Sequence, residues 1–389
     1  MSNVSALWRL LAFLCCSTAA VGQVSGRFYL EKETFAIGEP VFLYFEASNS
    51  GKERQDLLRA DPYSFCAGYD IHLSSDPASN SACTDLGIFG SCLSSSMILQ
   101  PGARFAERIL LNYAHHITAA GDYVVKAGRR LPYGPRLMET SSPPTLEVHE
   151  TLRFRVEPDT SFPSDKLQIW VDRLHSPAVA DREEAARTLA SLAPYSLEDV
   201  LLGFAGKEEF RHWAPLAMHR LNTPRAMAAV AEMLRTSGPG TPESLDAARF
   251  LGSSGDPQWF LLLFALAKKQ PGGGYLYPAA ECGGDRAVPF LIDLMHSDTQ
   301  LARQVAISAM AYTGSRAAIP VLLDLLKSPD PDVSARALHG LEYLTHRKLT
   351  GAAGSPQSQY PNWLEWWSRH GAGVRIYKAA DCREPPFQN

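Results

Sequence analysis

Apolar residues recur with two different periods along this chain, and the change of period divides it. Residues 24–158 contain short runs in which alternate side chains are apolar, as in residues 41–47. Alternation of this kind predicts β-strands. Further along, apolar residues fall three and four positions apart, as at Leu167, Trp170 and Leu174. This spacing predicts amphipathic helices. The chain is therefore expected to fold as a sheet domain followed by a helical one.

The first region is predicted to be an antiparallel β-sandwich because it combines short strands with Gly/Pro turns. The predicted strands cover residues 27–31, 41–47, 69–73, 96–99, 106–111, 121–127 and 146–156. Residues 126–136 are interpreted as a basic connecting loop, and His115 and His116 as loop histidines. Residues 159–164 are predicted to link the two regions.

Three turn motifs of the first region resemble those of bacterial immunoglobulin-like domains. They are the residues 38–41 (Gly-Glu-Pro-Val), 101–102 (Pro-Gly) and 120–123 (Ala-Gly-Asp-Tyr). In that family, these motifs open the domain, precede a strand and lead into a late strand. The resemblance implies a sandwich fold and leaves the function open, since such folds carry many functions.

The helical region is organised by a repeat. Gly252, Gly283 and Gly314 are equally spaced along the chain, and each follows a segment of small and apolar residues. A period of roughly 30 residues predicts stacked helix–turn–helix units. Five to six such units are expected over residues 165–350. One unit cannot bury its apolar face alone, so neighbouring units hold the array together.

Small residues recur at another position of the same repeat. Ala186, Ala217, Ala248 and Ala279 follow one another with the same spacing as the glycines, which predicts close approach of the helices. Prolines are expected at first helical positions after a capping residue, where the missing N–H costs nothing. Pro224, Pro257 and Pro331 follow Thr or Asp in this way.

At these positions the array resembles HEAT repeats of the short, PBS-lyase HEAT-like form. The resemblance rests on residues 279–294 and 309–326, and on residues 330–338, which are similar to the family's Asp-x-x-Val-Arg-x-x-Ala signature with Ser334 in place of Arg. The family resemblance implies a scaffold. Some relatives act on bilin attachment, but no residue set for that activity is found in this chain.

Residues 1–22 have the pattern of a secretory signal peptide. One basic residue, Arg9, precedes a short apolar run, and small residues follow. Cleavage after Gly22 or Ala20 fits this pattern, and a retained anchor or a lipid on Cys15 or Cys16 are weaker alternatives. The protein is therefore expected to be exported, to a periplasmic or extracellular location. A formal net charge of -4 argues against a general nucleic-acid binder.

An oxidising compartment permits disulfides. Cys66, Cys83 and Cys92 cluster in a polar segment and are candidates for one bridge, whose pairing the sequence leaves open. Cys282 lies inside a repeat and is expected to be a buried free thiol, while Cys382 lies in the tail.

Candidate partner-binding residues are polar side chains on helices of the array. They are Arg211, His212, Arg220, Arg249, Arg303 and Gln304. Residues 351–389 are predicted to be a linker and a tryptophan-rich cap. Trp363, Trp366 and Trp367 share one helical face there, which either covers the open end of the array or binds a ligand.

The chain lacks the zincin, nucleophile-elbow, P-loop and dinucleotide motifs. We therefore expect a non-catalytic protein-binding or scaffolding protein with no cofactor or metal, whose partner is another protein. Two alternatives stay open. One is an enzyme-associated module, for example a protease inhibitor acting through the sandwich loops, and the other is an enzyme with an unrecognised site.

Overall fold

The computed structural model describes residues 24–60, 67–76, 94–139, 141–270, 272, 274–349 and 355–378. These residues form a sheet domain followed by a helical array, as predicted. No helix in these ranges combines the length and the apolar character needed to cross a bilayer. The predicted signal peptide and Cys66, Cys83 and Cys92 lie outside the described residues, so both expectations remain predictions.

Nine strands lie within the described part of the sheet domain. They are β1 (Val24–Leu30), β2 (Thr34–Ile37), β3 (Phe42–Asn49), β4 (Gln55–Ala60), β5 (Tyr69–Asp76), β6 (Ser94–Leu99), β7 (Arg104–Leu110), β8 (Gly121–Gly134) and β9 (Thr145–Ser161). One sheet has the order β1-β3-β7, and the other has the order β2-β9-β8-β4-β6 with β5 also paired to β8. Leu43 and Phe45 from the first sheet and Val125 and Val148 from the second share one buried core.

The strand β2, which the sequence did not predict, makes the sandwich mixed. It pairs parallel to β9, with Phe35 opposite Val156, whereas the other strand pairs are antiparallel. The rings of Phe35 and Phe154 meet edge to face at 5.5 Å between ring centroids. Packing at the edge of the sheet therefore compensates for the shortness of the strand.

The basic segment at residues 126–136 is not the loop that its Gly and Pro residues suggested. Most of it belongs to β8, and Arg129 is only 1% exposed. The guanidinium of Arg129 lies 3.9 Å from the centroid of the Tyr69 ring and 3.8 Å from the carboxylate of Glu107. These partners come from other strands, so the local sequence did not reveal that this arginine is buried.

The helical region contains six helix pairs within the described residues. The pairs are α2 (Ser164–Arg173) with α3 (Val179–Leu192), α4 (Glu198–Leu202) with α5 (Ala214–Leu221), α6 (Pro224–Thr236) with α7 (Pro242–Ser253), α8 (Phe260–Lys269) with α9 (Leu276–Gly283), α10 (Ala287–Met295) with α11 (Gln300–Met310), and α12 (Ala318–Leu326) with α13 (Pro331–Thr345). A helical turn α1 (Leu111–Ala114) belongs to the sheet domain, and α14 (Tyr360–His370) follows the last pair. The second pair is irregular, since 3-10 turns separate α4 from α5.

The second helices of successive pairs pack against one another and form a continuous layer. Ala186, Ala217, Ala248 and Ala279 in this layer are fully buried, as their spacing predicted. Gly252 allows a further close approach, since a Cβ there would lie 2.5 Å from the Cα of Pro278. Small side chains therefore set the distance between units.

Helix starts follow the predicted capping chemistry. The side chains of Thr223, Asp256 and Asp330 each accept a hydrogen bond from a backbone N–H in the first turn of a helix that begins with proline. Thr241 caps α7 in the same way and was missed by the sequence analysis. Cys282 is a free, buried thiol, as predicted.

The described structure covers both ends of the array. At the first end β9 runs through Ser161 and α2 starts at Ser164, so the linker is shorter than predicted. There the rings of Phe42 and Trp170 stack at 6.0 Å across the two regions. At the other end α14 packs against α12, and its Trp363 is 1% exposed.

Candidate binding face of the helical array

One position of the repeat forms a row of side chains along the second-helix layer. It precedes each repeat glycine by two positions and recurs with the same period as the glycines. His219, Phe250, Glu281, Tyr312 and Tyr343 occupy it, and we call this row the ladder. Because each unit repeats the same geometry, residues of successive units at one repeat position lie side by side.

The first two rungs of the ladder are packed. The rings of His219 and Phe250 stack at 4.5 Å with an interplanar angle of 16°. Phe250 is 2% exposed, and the guanidinium of Arg249 lies 5.2 Å from the centroid of its ring. Burial, with the nearby Arg220 charge, lowers the pKa of His219 to about 4. His219 is therefore a neutral ring that stacks at neutral pH.

The later rungs form a partly exposed group of tyrosines. Tyr277, one helical turn before Glu281, meets Tyr312 edge to face at 5.0 Å between centroids. Tyr312 stacks on Tyr343 at 5.3 Å with an angle of 28°. All three tyrosines are half-buried. The three rings therefore form one contiguous aromatic group that starts one helical turn from Glu281.

Glu281 is the one acidic rung of the ladder. None of the described residues gives its carboxyl a hydrogen bond or an ion pair. Burial raises the pKa of this carboxyl to about 7. Burial also raises the pKa of Tyr312, and the nearby Tyr277 and Glu281 raise it further. The carboxyl is therefore held in a poorly hydrated position, close to a tyrosine, with no counter-ion in the described ranges.

The other charged groups of this face are paired or set apart. Arg249 donates a hydrogen bond of 3.0 Å to Asp246. Burial raises the pKa of Asp246 against the opposing effect of Arg249. Burial also raises the pKa of Glu342, while the charges of Lys348 and His339 act in the opposite direction and lower it. Glu281 differs from both acids, since no cation of the described part of the chain acts on its pKa.

A carboxyl beside several aromatic rings is suited to bind a cation. The faces of tyrosine rings attract ammonium and guanidinium groups, and a carboxylate adds an ion pair in a poorly hydrated place. Tyr277, Glu281 and Tyr312 provide these groups within two neighbouring units. The three residues form the candidate site.

The six sequence-predicted partner-binding residues do not form one patch. Arg220 and Arg249 both lie near His219, where each acts on its pKa. Arg303 donates to the backbone carbonyl of Ser297 at 2.6 Å. Gln304 donates to Asp332 in the next unit at 2.7 Å.

Arg211 and His212 are exposed on the irregular second pair. Arg211 donates to the backbone carbonyl of Ala205 at 3.4 Å, and Nε2 of His212 lies 3.4 Å from the carboxylate of Glu183. Each of the six side chains therefore contacts another part of this chain, and their proposed role towards a partner stays a prediction.

The two histidines predicted to lie in a loop do so, between α1 and β8, and the start of this loop is buried at the contact between the two regions. His115 is 4% exposed, and neither ring nitrogen has a hydrogen-bond partner. Burial and the charge of Arg220 lower the pKa of both His115 and His116 to about 4. Arg220 donates to the backbone carbonyl of Tyr113 at 3.4 Å, across the contact. These groups therefore join the sheet domain to the array.

No group of three His, Cys, Asp or Glu side chains suited to a metal ion is found among the described residues. The histidines at the contact lie close to Arg220, and its positive charge disfavours a second cation there. The arrangement therefore provides packing and charge at the contact rather than a metal site.

A cavity of about 570 Å³ lies between the last helix pair and the C-terminal helix. Its wall combines aromatic and basic side chains, including Trp366, His346 and Arg347. Tyr377 meets His346 at 3.9 Å between ring centroids. Trp363 thus covers the end of the array, while Trp366 on the same helix lines a cavity.

The sequence contained the signal for the ladder, although the candidate residues were chosen in another way. The predicted binding residues are polar residues at unrelated positions of the repeat, and the small residues of the repeat do not reveal the ladder. Aligning the units on Gly283 and Gly314 places Glu281 and Tyr312 in one column. Glu281 is an acidic residue in a ladder that is otherwise aromatic. A departure of this kind from the local pattern is typical of a functional residue.

Residues 280–357 match a family model described as HEAT repeats. The helical region of this chain is therefore made of HEAT-like repeats, as the sequence predicted. A search of curated proteins gave no match.

Three solved structures are similar to this chain at low sequence identity. The complex of CpcE and CpcF of phycocyanin lyase from Nostoc shares 15% identity over 54% of this chain and 97% of that chain, with a TM-score of 0.33. Escherichia coli alpha-2-macroglobulin activated by porcine elastase shares 13% identity over 88% of this chain, with a TM-score of 0.20. Salmonella alpha-2-macroglobulin reacted with methylamine shares 12% identity over 88% of this chain, with a TM-score of 0.20. This chain covers 37% and 27% of those two proteins, and likenesses at this level carry no argument about function.

Proposed function

We propose that this chain is an exported, non-catalytic protein that binds or scaffolds another protein through the later rungs of its ladder. The observation that supports this proposal most strongly is the environment of the Glu281 carboxyl. This group is desolvated beside tyrosine rings and has no hydrogen-bond or ion-pair partner among the described residues. Burying a charged group without a partner costs stability. Such a cost is accepted where an external group completes the site.

The architecture supports a protein partner. Arrays of stacked helix pairs present extended surfaces, and each unit contributes a small part of the contact. Tyrosines are favoured in protein–protein contacts because they bury a large area at a low cost in conformational entropy. Tyr277, Tyr312 and Tyr343 place this side-chain type on three successive units.

Quantitative capture tests the binding part of the proposal. The full chain is immobilised and exposed to the exported protein fraction of its source organism. A protein retained by the wild type is then quantified on two variants, Tyr312→Ala and Tyr195→Ala. Tyr195 is a matched control because it is 73% exposed and lies far along the sequence in an earlier unit.

Retention of the partner is expected to fall in only one of the two variants. Tyr312→Ala reduces retention by roughly tenfold or more, since central aromatic residues carry much of the energy of an interface. Tyr195→Ala retains the partner as the wild type does. Equal retention by all three proteins contradicts the proposed binding face.

The export part of the proposal rests on the signal-peptide pattern of residues 1–22. N-terminal sequencing of the protein recovered from a host that exports it tests this part. The expected mature chain begins at residue 21 or 23. An uncleaved chain retained inside the cell contradicts export.

A further inference from the structure

The later rungs of the ladder restrict the chemistry of the group that they can bind. Tyr277 and Glu281 lie four residues apart on α9, so both side chains project from one face of that helix. Tyr312 comes from the next unit and lies 5.0 Å from Tyr277 between ring centroids. The carboxyl therefore lies among rings from two units.

The described groups around Glu281 supply no positive charge to it. On the side of α7, Arg249 is paired with Asp246. On the side of the following unit, Tyr312 is the titratable group that interacts with Glu281. On α9 itself the neighbours are Tyr277 and the buried Cys282 thiol, and the charge of Arg286, in the turn after α9, acts on the pKa of Cys282. Burial is the influence on the pKa of Glu281, so a positively charged ligand meets an unneutralised acidic group and aromatic faces there.

We propose that the ladder binds a lysine or arginine side chain of its partner, whose cationic group lies against the touching pair of Tyr277 and Tyr312 rings and forms an ion pair with the Glu281 carboxylate. This inference rests on the proposed function and names the chemical class that the binding face selects. An arginine fits especially well, because its planar guanidinium stacks on aromatic rings and forms ion pairs with carboxylates.

Binding of a cation depends on the ionised form of Glu281, so it varies with pH. Burial places the pKa of Glu281 at about 7. Below this pH the carboxyl is neutral in the free chain, and a cation must displace a proton. Affinity for the cation is therefore expected to rise between pH 6 and pH 8. Asp246 keeps its own cation, Arg249, and His219 is neutral throughout this range.

The test compares two probes that differ in charge and share their shape. N-acetyl-arginine amide carries a guanidinium, and N-acetyl-citrulline amide replaces it with a neutral urea group. Each probe is titrated at pH 8 into the full chain labelled with ¹³C at glutamate carboxyls. The Glu281 signal is assigned by its absence in Glu281→Gln, and its chemical shift reports binding to the wild type. Isothermal titration calorimetry gives the affinity of each probe for the wild type and for the variants.

The expected result is a preference of roughly five- to tenfold for arginine over citrulline in the wild type. Glu281→Gln brings this ratio to about one. Glu342→Gln, a matched change two units further along the chain, leaves the ratio unchanged because Glu342 already has Lys348 and His339 nearby. Circular dichroism checks that each variant is folded.

Equal binding of both probes, no saturable shift with either, or an arginine preference that survives in Glu281→Gln overturns the cationic ligand. The capture experiment with Tyr312→Ala separates this failure from that of the proposed function. If Tyr312→Ala loses the partner and the wild type shows no preference for arginine, the binding face is supported and the cationic ligand is rejected. If Tyr312→Ala retains the partner, the proposed binding face is itself rejected.

Discussion

The early and late rungs of the ladder occupy the same repeat position and differ in almost every physical property. His219 and Phe250 are stacked, uncharged at neutral pH and packed near the contact with the sheet domain. Glu281 and Tyr312 are half-buried, one of them is acidic, and the carboxyl has no counter-ion among the described residues. The repeat fixes where the side chains lie, while the residue type decides what they do.

The difference shows how one array can combine stability with binding. Near the sheet domain the ladder position adds to a shared core, in which Phe42 joins the buried residues of the array. Away from that contact the same position is left partly exposed, and its residues are not optimised for packing. A functional site is expected to depart from the local rules of its fold in this way.

The largest expected difference between the two parts is in stability. Phe250→Ala removes a fully buried ring and is expected to lower the free energy of unfolding by about 3–5 kcal/mol. Tyr343→Ala removes a half-buried ring and its stacking on Tyr312, with an expected loss of roughly 1–2 kcal/mol. Urea denaturation followed by circular dichroism measures both. Equal losses of unfolding free energy in the two variants contradict the division of the ladder into packed early rungs and partly exposed late rungs.

A second prediction concerns a substitution in the later rungs that raises the free energy of unfolding instead of lowering it. Glu281→Gln is expected to stabilise the chain at pH 8, by up to about 3 kcal/mol. The pKa of Glu281 rises from 4.5 to about 7 on folding. The unfolded chain therefore binds fewer protons between these values, and the wild type loses stability as pH rises from 4.5 to 7.

The pH dependence gives this prediction its control. At pH 4 the carboxyl is protonated in the folded chain and largely protonated in the unfolded chain, so Glu281→Gln is expected to change stability little. Paired denaturation curves at pH 4 and pH 8 measure the effect. If Glu281→Gln is less stable than the wild type at pH 8, the wild-type carboxyl has a favourable partner, which contradicts an unpaired, desolvated Glu281.

A smaller effect is expected at the early rungs, with the opposite pH dependence. The pKa of His219 falls from 6.5 to about 4 on folding. The unfolded chain binds more protons between these values, so stability falls as pH drops from 6.5 to 4. His219→Phe, which keeps the stack on Phe250, is expected to remove roughly 2 kcal/mol of the loss between pH 7 and pH 5.

His296→Phe serves as a comparison, because His296 is exposed at the end of α10. It controls for the introduction of a phenylalanine ring. His115 and His116 also have lowered pKa values, so part of the acid sensitivity persists in His219→Phe. A variant profile identical to that of the wild type contradicts the buried, neutral state of His219.

Local signals were sufficient to predict the array, and long-range contacts were needed for the rest. Pro224 and its Thr223 cap act within one turn of helix, and Ala248 repeats at a fixed spacing, so both could be inferred from nearby residues. Arg129 is buried by Tyr69 and Glu107, which lie on other strands. Its burial depends on strand pairing, which the sequence of one segment does not contain.

The candidate site falls between these two cases. The column of Glu281 and Tyr312 could be predicted from the repeat, as soon as the units were aligned. The absence of a counter-ion among the described residues could not be predicted, because the direction of each charged side chain depends on the packing of neighbouring helices, as in the pairing of Arg249 with Asp246. The sequence thus contained the position of the site, and the structure was needed for its electrostatics.

The pKa of Glu281 in the free chain tests the central claim most directly. A ¹³C titration of the full chain, with Glu281→Gln for assignment, measures it without any partner. A value of about 7 is expected, because the carboxyl is buried and none of the described residues places a cation beside it. A value at or below the ordinary 4.5 would show a hydrated or paired carboxylate, and would contradict the proposed binding site.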